Sequence, residues 1–388
     1  MTRSGAAGGG GRPPRVAIVF AQFAAYHVDR CRAAALRLGP RADVLAIEVA
    51  TTSTTYAWEP SGAVEGAEKC VLFPGLSFEA IPARRRFAAA FAVLRHCDAV
   101  FFGIGYNEPD VIALAFALRL FGVRVFMMTE SKFDDVPRRL GREAGKALLL
   151  SAYRGAFVGG ARQQDYLRFL GFRRRPVLTG YDAVDLDRVR AAAGCPPAPA
   201  GVPFAERGFV FVGRFVAKKN LAMLVEAYAV YAAEAGAQAR RLTLVGGGEL
   251  EPRLRTRIAE LGLADRVAIT GFVSADEVAR HLAGALALLL PSTEEQWGLV
   301  VNEALAFHLP AIVSEAVGAR DALVRNQLNG FVVESHSPAG WAAAMAALAA
   351  DEPSWRAMVA ASAGLAARGH VDRFAEAIEA LALPPHGR

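Results

Sequence analysis

Short apolar runs, rich in β-branched and aromatic residues, recur along this chain and alternate with stretches of helical spacing. The first, "RVAIVFAQF" (15–23), reads as a buried strand. "AYHVDRCRAAALRLG" (25–39) follows it with the spacing of a helix that stops at Gly39. "DVLAIEV" (43–49) predicts a second strand, and "AVFFGI" (99–104), "VRVFMMT" (123–129) and "GAFVGG" (155–160) predict more, each followed by a loop or helix-like segment. A second series opens with the strand "GFVFVG" (208–213) and the helix "NLAMLVEAYAVYAAEAG" (220–236). It continues with "LTLVGGG" (242–248) as a strand entering a glycine turn, then "ELEPRLRTRIAELG" (249–262) as a helix. "VAITG" (267–271), "ALLLP" (287–291), "PAIVS" (310–314) and "GFVVE" (330–334) add strands. The stretches 341–367 and 372–383 close the chain as helices. Such alternation predicts an α/β fold on largely parallel sheets.

Between the two series, "CPPAPAGVP" (195–203) is rich in proline, glycine and alanine and reads as a linker. The expected organisation is a disordered tail over 1–14, a first Rossmann-like doubly wound unit over 15–190 and a linker over 191–205. A second such unit follows over 206–370, and a terminal helix within 371–388 packs back on the first. Two units of this kind would face each other across a cleft. Ligands of open parallel sheets sit beyond the carboxyl ends of the strands.

A chain of 388 residues with 53% hydrophobic residues has material for two cores. Its four cysteines, Cys31, Cys70, Cys97 and Cys195, lie far apart without zinc-ligand spacing, which points to reduced thiols in a cytosol. The Gly-rich start "MTRSGAAGGGGRPPR" has no apolar run of the kind a secretory signal needs. Windows such as "VIALAFALRLFGV" (111–123) are too short to span a bilayer. The net charge of +6 matters through its distribution: "ARRRF" (83–87), "PRRLGREAGK" (137–146) and "FRRRP" (172–176) are basic clusters in the first half. They read either as a solvated surface or as a face for an anionic membrane or acidic acceptor, which would make the protein peripheral on the inner face of the membrane. Aromatic residues do not interleave with these charges, so nucleic acid is not an expected partner.

Three stretches carry candidate chemistry. In "VGRFVAKKN" (212–220), a strand ends at Gly213 and Arg214 and Lys219 follow before a helix. Cations there can grip a diphosphate, or be ordinary loop charge. "VGGGEL" (245–250) either admits a nucleotide close to the backbone or makes a tight turn; it does not fit GxGxxG, so no nicotinamide cofactor is expected. In "PSTEEQWGLVVNEAL" (291–305), a helix is expected to start near Gly298. The N–H groups of Gly298, Leu299 and Val300 would then form an anion site, with Glu303 in an early turn and Glu295 in the loop before it. Carboxylates only accept hydrogen bonds, which suits ribose or hexose hydroxyls. Alternatively Glu303 simply complements the helix dipole and Glu295 is solvated.

Taken in order, "VGRFVAKKN", "LTLVGGGELEPRLRTRIAELGLADRVAITGFV" and "PSTEEQWGLVVNEALAFHLPAIVSEAVGARDALVRNQLNGFVV" are similar to the retaining glycosyltransferases of family 4, the group 1 glycosyltransferases of GT-B fold. The resemblance is strong over 206–335, and that family's E-x7-E pattern falls on Glu295 and Glu303. It implies that Arg214 and Lys219 hold a donor diphosphate, Glu303 the ribose and Glu295 the hydroxyls of the transferred sugar. Backbone at Phe272 and Val273 would lie near the base. Two positions of the second half depart from the family, His308 in "AFHLP" and Asn220 after the lysine, where glycine is usual; in the first half the usual Gly-Gly turn after the first strand is absent and "AQFAAYHVDR" (21–30) stands there. The first half, with "TESKFDD" (129–135), "VGGARQQDYLRFLGF" (158–172) and "GYDAVDLDRV" (180–189), matches more loosely and would bind the acceptor. Glu130, after a strand, is the candidate polar group near the reacting centre; Tyr26, His27 and Arg30 are further acceptor-side candidates. The alternative for His27, and the one its setting favours, is a helix-surface or satisfied core histidine.

The resemblance implies hexosyl transfer from a nucleotide diphosphate sugar; no DxD-like metal site is evident beside the donor stretches, so no metal or other cofactor is expected. A UDP-sugar is favoured and a GDP-sugar is the alternative donor. The acceptor would be a lipid-linked glycan, a polysaccharide or a small hydroxylated metabolite. A glycoside hydrolase is not expected, because both glutamates would sit beside the donor rather than across a glycosidic bond. A nucleotide-sugar epimerase or phosphorylase on the same fold, or a catalytically silent nucleotide-sugar-binding subunit, are the alternatives.

Overall fold

The computed structural model describes residues 12–54 and 61–383. Most of the expected tail over 1–14 therefore lies outside the described residues. The first strands are β1 (Arg15–Phe20), β2 (Asp43–Thr52), β3 (Glu68–Ser77), β4 (Ala99–Phe102), β5 (Arg124–Thr129), β6 (Gly155–Val158) and β7 (Val177–Thr179). Between and after them run α1 (Ala25–Leu38), α2 (Ala83–Leu94), α3 (Pro109–Leu120), α4 (Leu140–Leu149), α5 (Ala161–Phe169) and α6 (Leu186–Ala193). They form one sheet in the order β3-β2-β1-β4-β5-β6-β7. Its central strands are continuous apolar runs because helices cover both faces of a parallel sheet; Val16, Ala17 and Ile18 of β1 and Ala99, Val100 and Phe101 of β4 are fully buried.

The later strands are β8 (Phe209–Val212), β9 (Leu242–Val245), β10 (Val267–Gly271), β11 (Ala287–Leu290), β12 (Ala311–Ser314) and β13 (Gly330–Val333). Their helices are α7 (Leu221–Ala235), α8 (Glu251–Glu260), α9 (Ala275–Ala283), α10 (Val300–Ala306), α11 (Arg320–Leu323), α12 (Pro338–Ala350), α13 (Glu352–Leu365) and α14 (Asp372–Ala382). The second sheet runs β10-β9-β8-β11-β12-β13, and its pairings are parallel. Both sheets thus have the doubly wound order of a Rossmann-like fold, with the direction of strand addition reversing between the first and fourth strand of each series.

By contacts the chain divides into a unit ending at Met128 that also takes Leu149–Gly155 and the residues from Ile378, and a second unit of Thr129–Leu148 with Ala156–Ala377. In the first, Glu379 pairs with Arg37 and Arg41, and Arg124 donates to Ala382 O. In the second, the Pro-rich stretch around 195–203 is tied down, since Ala198 N–H donates to Phe307 O at 3.1 Å.

Several elements were not read from the pattern. Strand β3 contains Pro74 and alternates poorly because it is the edge of its sheet, where proline is tolerated. Helix α9 carries a capping box in which Ser274 and Glu277 exchange hydrogen bonds. The long stretch 341–367 is broken at Asp351, whose carboxylate accepts from Ser354 N–H and starts α13. Among the described residues, no helix is long and apolar enough to cross a membrane.

Candidate functional site

Strand β8 is neighbour to β11 at the point where the second sheet reverses, so the loops leaving these two strands meet beyond their carboxyl ends. The loop after β8 carries "GRFVAKKN" and the loop after β11 carries "STEEQWG". They are stitched together by Thr293 N–H donating to Lys218 O at 2.8 Å. Within them the Lys219 ammonium pairs directly with the Glu295 carboxylate, and Ser292 Oγ donates to the same oxygen at 2.9 Å. Both charged side chains keep about a seventh of their surface exposed, 15% and 14%. An ammonium has three donors and a carboxylate about four acceptor positions, so the pair retains capacity toward a polar ligand. Arg214 lies exposed in the same loop. Sequence reasoning gave Lys219 and Glu295 separate duties; the fold brings them into contact.

The peptide at Glu295 is held from several directions. Gly318 N–H donates to Glu295 O at 3.1 Å, Ala319 N–H to Trp297 O at 3.0 Å and Gln163 Nε2 to Gln296 O at 3.1 Å. Trp297 is buried and donates from Nε1 to Asn302 Oδ1 at 2.9 Å; Asn302 donates in turn to Asp182 O and Gly369 O. Trp297, Asn302, Ser292 and Gln163 are positioning residues that the sequence reading did not single out. The one available signal was Ser292, three residues before Glu295.

The helix after this loop starts later than expected. Helix α10 begins at Val300 with Leu299 as its cap, and Gly298 has φ +100°, a left-handed conformation outside the helix. A Cβ on Gly298 would come within 3.0 Å of Leu290 and 3.4 Å of Glu295. Glu303 falls in the first turn of α10 and is partly exposed, yet densely surrounded by protein. Burial pushes its carboxyl up to about 7, against a smaller opposing pull from Arg188.

The glycine turn after β9 has a packing reason. A Cβ on Gly246 would collide with Gly213 O, and one on Gly248 would lie 2.7 Å from Phe215 O. These glycines let the turn lie against the backbone of the Lys219 loop, where Phe215 N–H donates to Gly247 O at 2.8 Å. Beside them Phe272 is 77% exposed, an unusual exposure for a phenyl ring, and Val273 is partly exposed.

The remaining candidates lie apart in sequence. Tyr26, His27 and Arg30 cluster on α1 in the first unit: the two rings are 4.2 Å apart and the Arg30 guanidinium lies 4.9 Å from the Tyr26 ring centre. His27 Nδ1 accepts the Ala24 N–H at 2.9 Å and caps α1, and its ring lies 4.1 Å from that of Phe20. Burial, with a contribution from Arg30, holds its pKa well below the usual range and keeps it neutral. That is the environment of a satisfied core histidine. Glu130 follows β5 in the second unit and is partly exposed. Among the described residues, Asp185, Asp187 and His370 bring one ligand atom each within 4.8 Å of one another. Asp185 caps α6, Asp187 pairs with Arg190 and His370 faces Asp372, so each already has a structural duty.

Residues 201–364 match the family of glycosyl transferases group 1. Over 252 residues the chain is 30% identical to the D-inositol 3-phosphate glycosyltransferase of Xylanimonas cellulosilytica, covering 60% of this chain and 57% of that protein. It is 30% identical over 251 residues to the protein of that name from Streptomyces scabiei, covering 62% and 55%. The chain spans a little over half the length of these curated relatives. Among solved structures, sucrose-phosphate synthase from Thermosynechococcus elongatus aligns with TM-score 0.68 at 18% identity over 95% of this chain and 98% of that one. HepE of Anabaena, solved in complex with UDP, aligns with TM-score 0.69 at 16% identity over 94% and 98%.

Proposed function

We propose, because residues 201–364 match the glycosyl transferases group 1 and the fold is similar to that of sucrose-phosphate synthase and HepE, that this protein is a retaining glycosyltransferase that moves a hexose from a nucleotide diphosphate sugar to an acceptor hydroxyl. The observation that carries the proposal is the Lys219–Glu295 pair at the switch point of the second sheet. In this reading Arg214 and Lys219 bind the donor diphosphate, and Glu295, released from Lys219, accepts from hydroxyls of the hexose. The ion pair then marks the junction between phosphate and sugar. Glu303 receives the ribose hydroxyls, and the exposed ring of Phe272 with Val273 borders the base. The structure of HepE with UDP supports a uridine donor.

In the reaction the bond from the sugar's anomeric carbon to the phosphate oxygen breaks, and its electron pair leaves with the nucleoside diphosphate. The acceptor oxygen bonds to that carbon on the same face and gives its proton to the departing phosphate. Negative charge grows on the diphosphate, where Arg214 and Lys219 stabilise it; loss of one such group raises the barrier by about 2.7–4 kcal/mol. We assign Glu130 to the acceptor side and expect turnover without added metal. The acceptor is a lipid-linked glycan, a polysaccharide or a small hydroxylated metabolite.

The test is transfer and binding measured together, with UDP- and GDP-hexoses, in the presence of a chelator. Glu295→Gln is expected to leave nucleotide affinity nearly unchanged and to lower transfer about 100-fold or more, whereas Lys219→Ala lowers both. Equal losses of nucleotide affinity and transfer in Glu295→Gln would overturn the assignment of that residue. Absence of binding by every nucleotide diphosphate would overturn the function.

A further inference from the structure

Helix α4 is built inside out. On a helical repeat Leu140, Ala144 and Leu148 stack four residues apart on one side, and that side faces solvent: Leu140 is 80% and Leu148 72% exposed. The polar residue Glu143, 3% exposed, points inward. It accepts from Tyr166 Oη of α5 at 2.6 Å and from Lys146 at 3.1 Å, and Arg138 donates to the same Tyr166 oxygen at 2.9 Å. Polar contacts therefore anchor this helix, and its greasy face is left over. The hydrophobic effect normally drives the opposite arrangement.

Further apolar groups of the same unit are also presented to solvent. Phe133 and Phe169 are each 50% exposed and meet edge to face at 5.5 Å, and Val136, between Phe133 and α4, is 46% exposed. In the segments that carry these residues the charge is one-sided. Asp134, Asp135, Glu143 and Asp165 each pair with a cation of this unit, namely Arg162, Lys132, Lys146 and Arg168. Arg139 just before α4, Arg142 on it, and Arg173 and Arg174 after α5 stand exposed in addition. A second copy of the chain would bring arginine against arginine. A surface of anionic headgroups over acyl chains matches both features, guanidinium to phosphate and leucine to hydrocarbon.

We propose that α4, with Phe133, Val136 and Phe169, is a peripheral docking surface for an anionic lipid bilayer. The leucines enter the interface and Arg139, Arg142, Arg173 and Arg174 meet the headgroups. The helix lies in the plane of the membrane, since it is too short to cross one.

The experiment is flotation of the full chain with vesicles of phosphatidylcholine alone or mixed with phosphatidylglycerol, at low and high salt. It needs no sugar donor, so it is independent of the proposed activity. The expected result is binding to the anionic vesicles that weakens with salt and falls roughly tenfold or more in Arg139→Gln/Arg142→Gln and in Leu140→Ser/Leu148→Ser. Thermal melting checks that these exposed positions leave folding intact, and the arginine pair serves alone if the leucine pair does not fold. Equal binding to both vesicle types, no binding to either, or binding unchanged by the arginine pair would overturn the proposal. So would a concentration-dependent dimer in sedimentation that Leu140→Ser/Leu148→Ser abolishes, since the face would then belong to a second copy.

Discussion

At the scale of single residues, the two departures from the related family in the second half are both backbone positions that suit glycine. Asn220 has φ +56° and His308 φ +58°. Asparagine tolerates the left-handed region better than most residues, and here its side chain contributes as well, donating to Ser335 O at 2.7 Å and Pro291 O at 3.3 Å. His308 is held by Nδ1 donating to Ala198 O at 3.2 Å. Asn220→Ala loses both hydrogen bonds and adds left-handed strain, so urea unfolding is expected to show about 2–3 kcal/mol of destabilisation, with Asn220→Gly milder. Glu303 gives a pH signature. Its carboxyl is raised from an ordinary 4.5 to about 7, so between those values the native state holds a proton that the unfolded chain releases. Stability is then expected to fall as pH rises from about 5 to about 8, by at most about 3 kcal/mol from this group. Glu303→Gln should remove that component in denaturation curves at the two ends of the range. An unchanged slope would assign the pH dependence to another group.

At the scale of elements, the strands and helices of the second unit were legible because buried parallel strands are unbroken apolar runs between helical stretches. The apolar pattern failed where burial is one-sided or capping decides: edge strand β3, helix α9 with its Ser274–Glu277 box, and the break at Asp351. It also failed at α10, because the left-handed turn at Gly298 is set by Leu290 and Glu295 packing against it. Gly248 shows the same dependence. In sequence it is part of a glycine turn open to two readings; in the fold it lies against the Phe215 backbone at φ +153°. Gly248→Ala is expected to destabilise by about 2–4 kcal/mol and to loosen the Lys219 loop, seen as a lower melting temperature together with weaker nucleotide binding. A melting temperature equal to that of the parent would show that the turn can move aside.

At the scale of the whole molecule, distant segments complete local structures. Ile378 is fully buried in the first unit, next to Glu379, which pairs with Arg37 and Arg41 from the other end of the chain. Ile378→Ala is expected to cost about 2–5 kcal/mol, read as a lower unfolding midpoint, and the effect should be seen in the first unit's hydrogen exchange. The sequence by itself determined the α/β class, the two series of strands, and the residue types at the candidate site, because periodicity and loop composition are local properties. Only the tertiary structure decided that Lys219 and Glu295, 76 residues apart, share an ion pair, since that contact follows from β8 lying beside β11. It alone decided that His27 is a neutral cap, since burial sets its charge state. And it alone turned the leucines of α4 outward, since which face of a helix is covered depends on what packs against it.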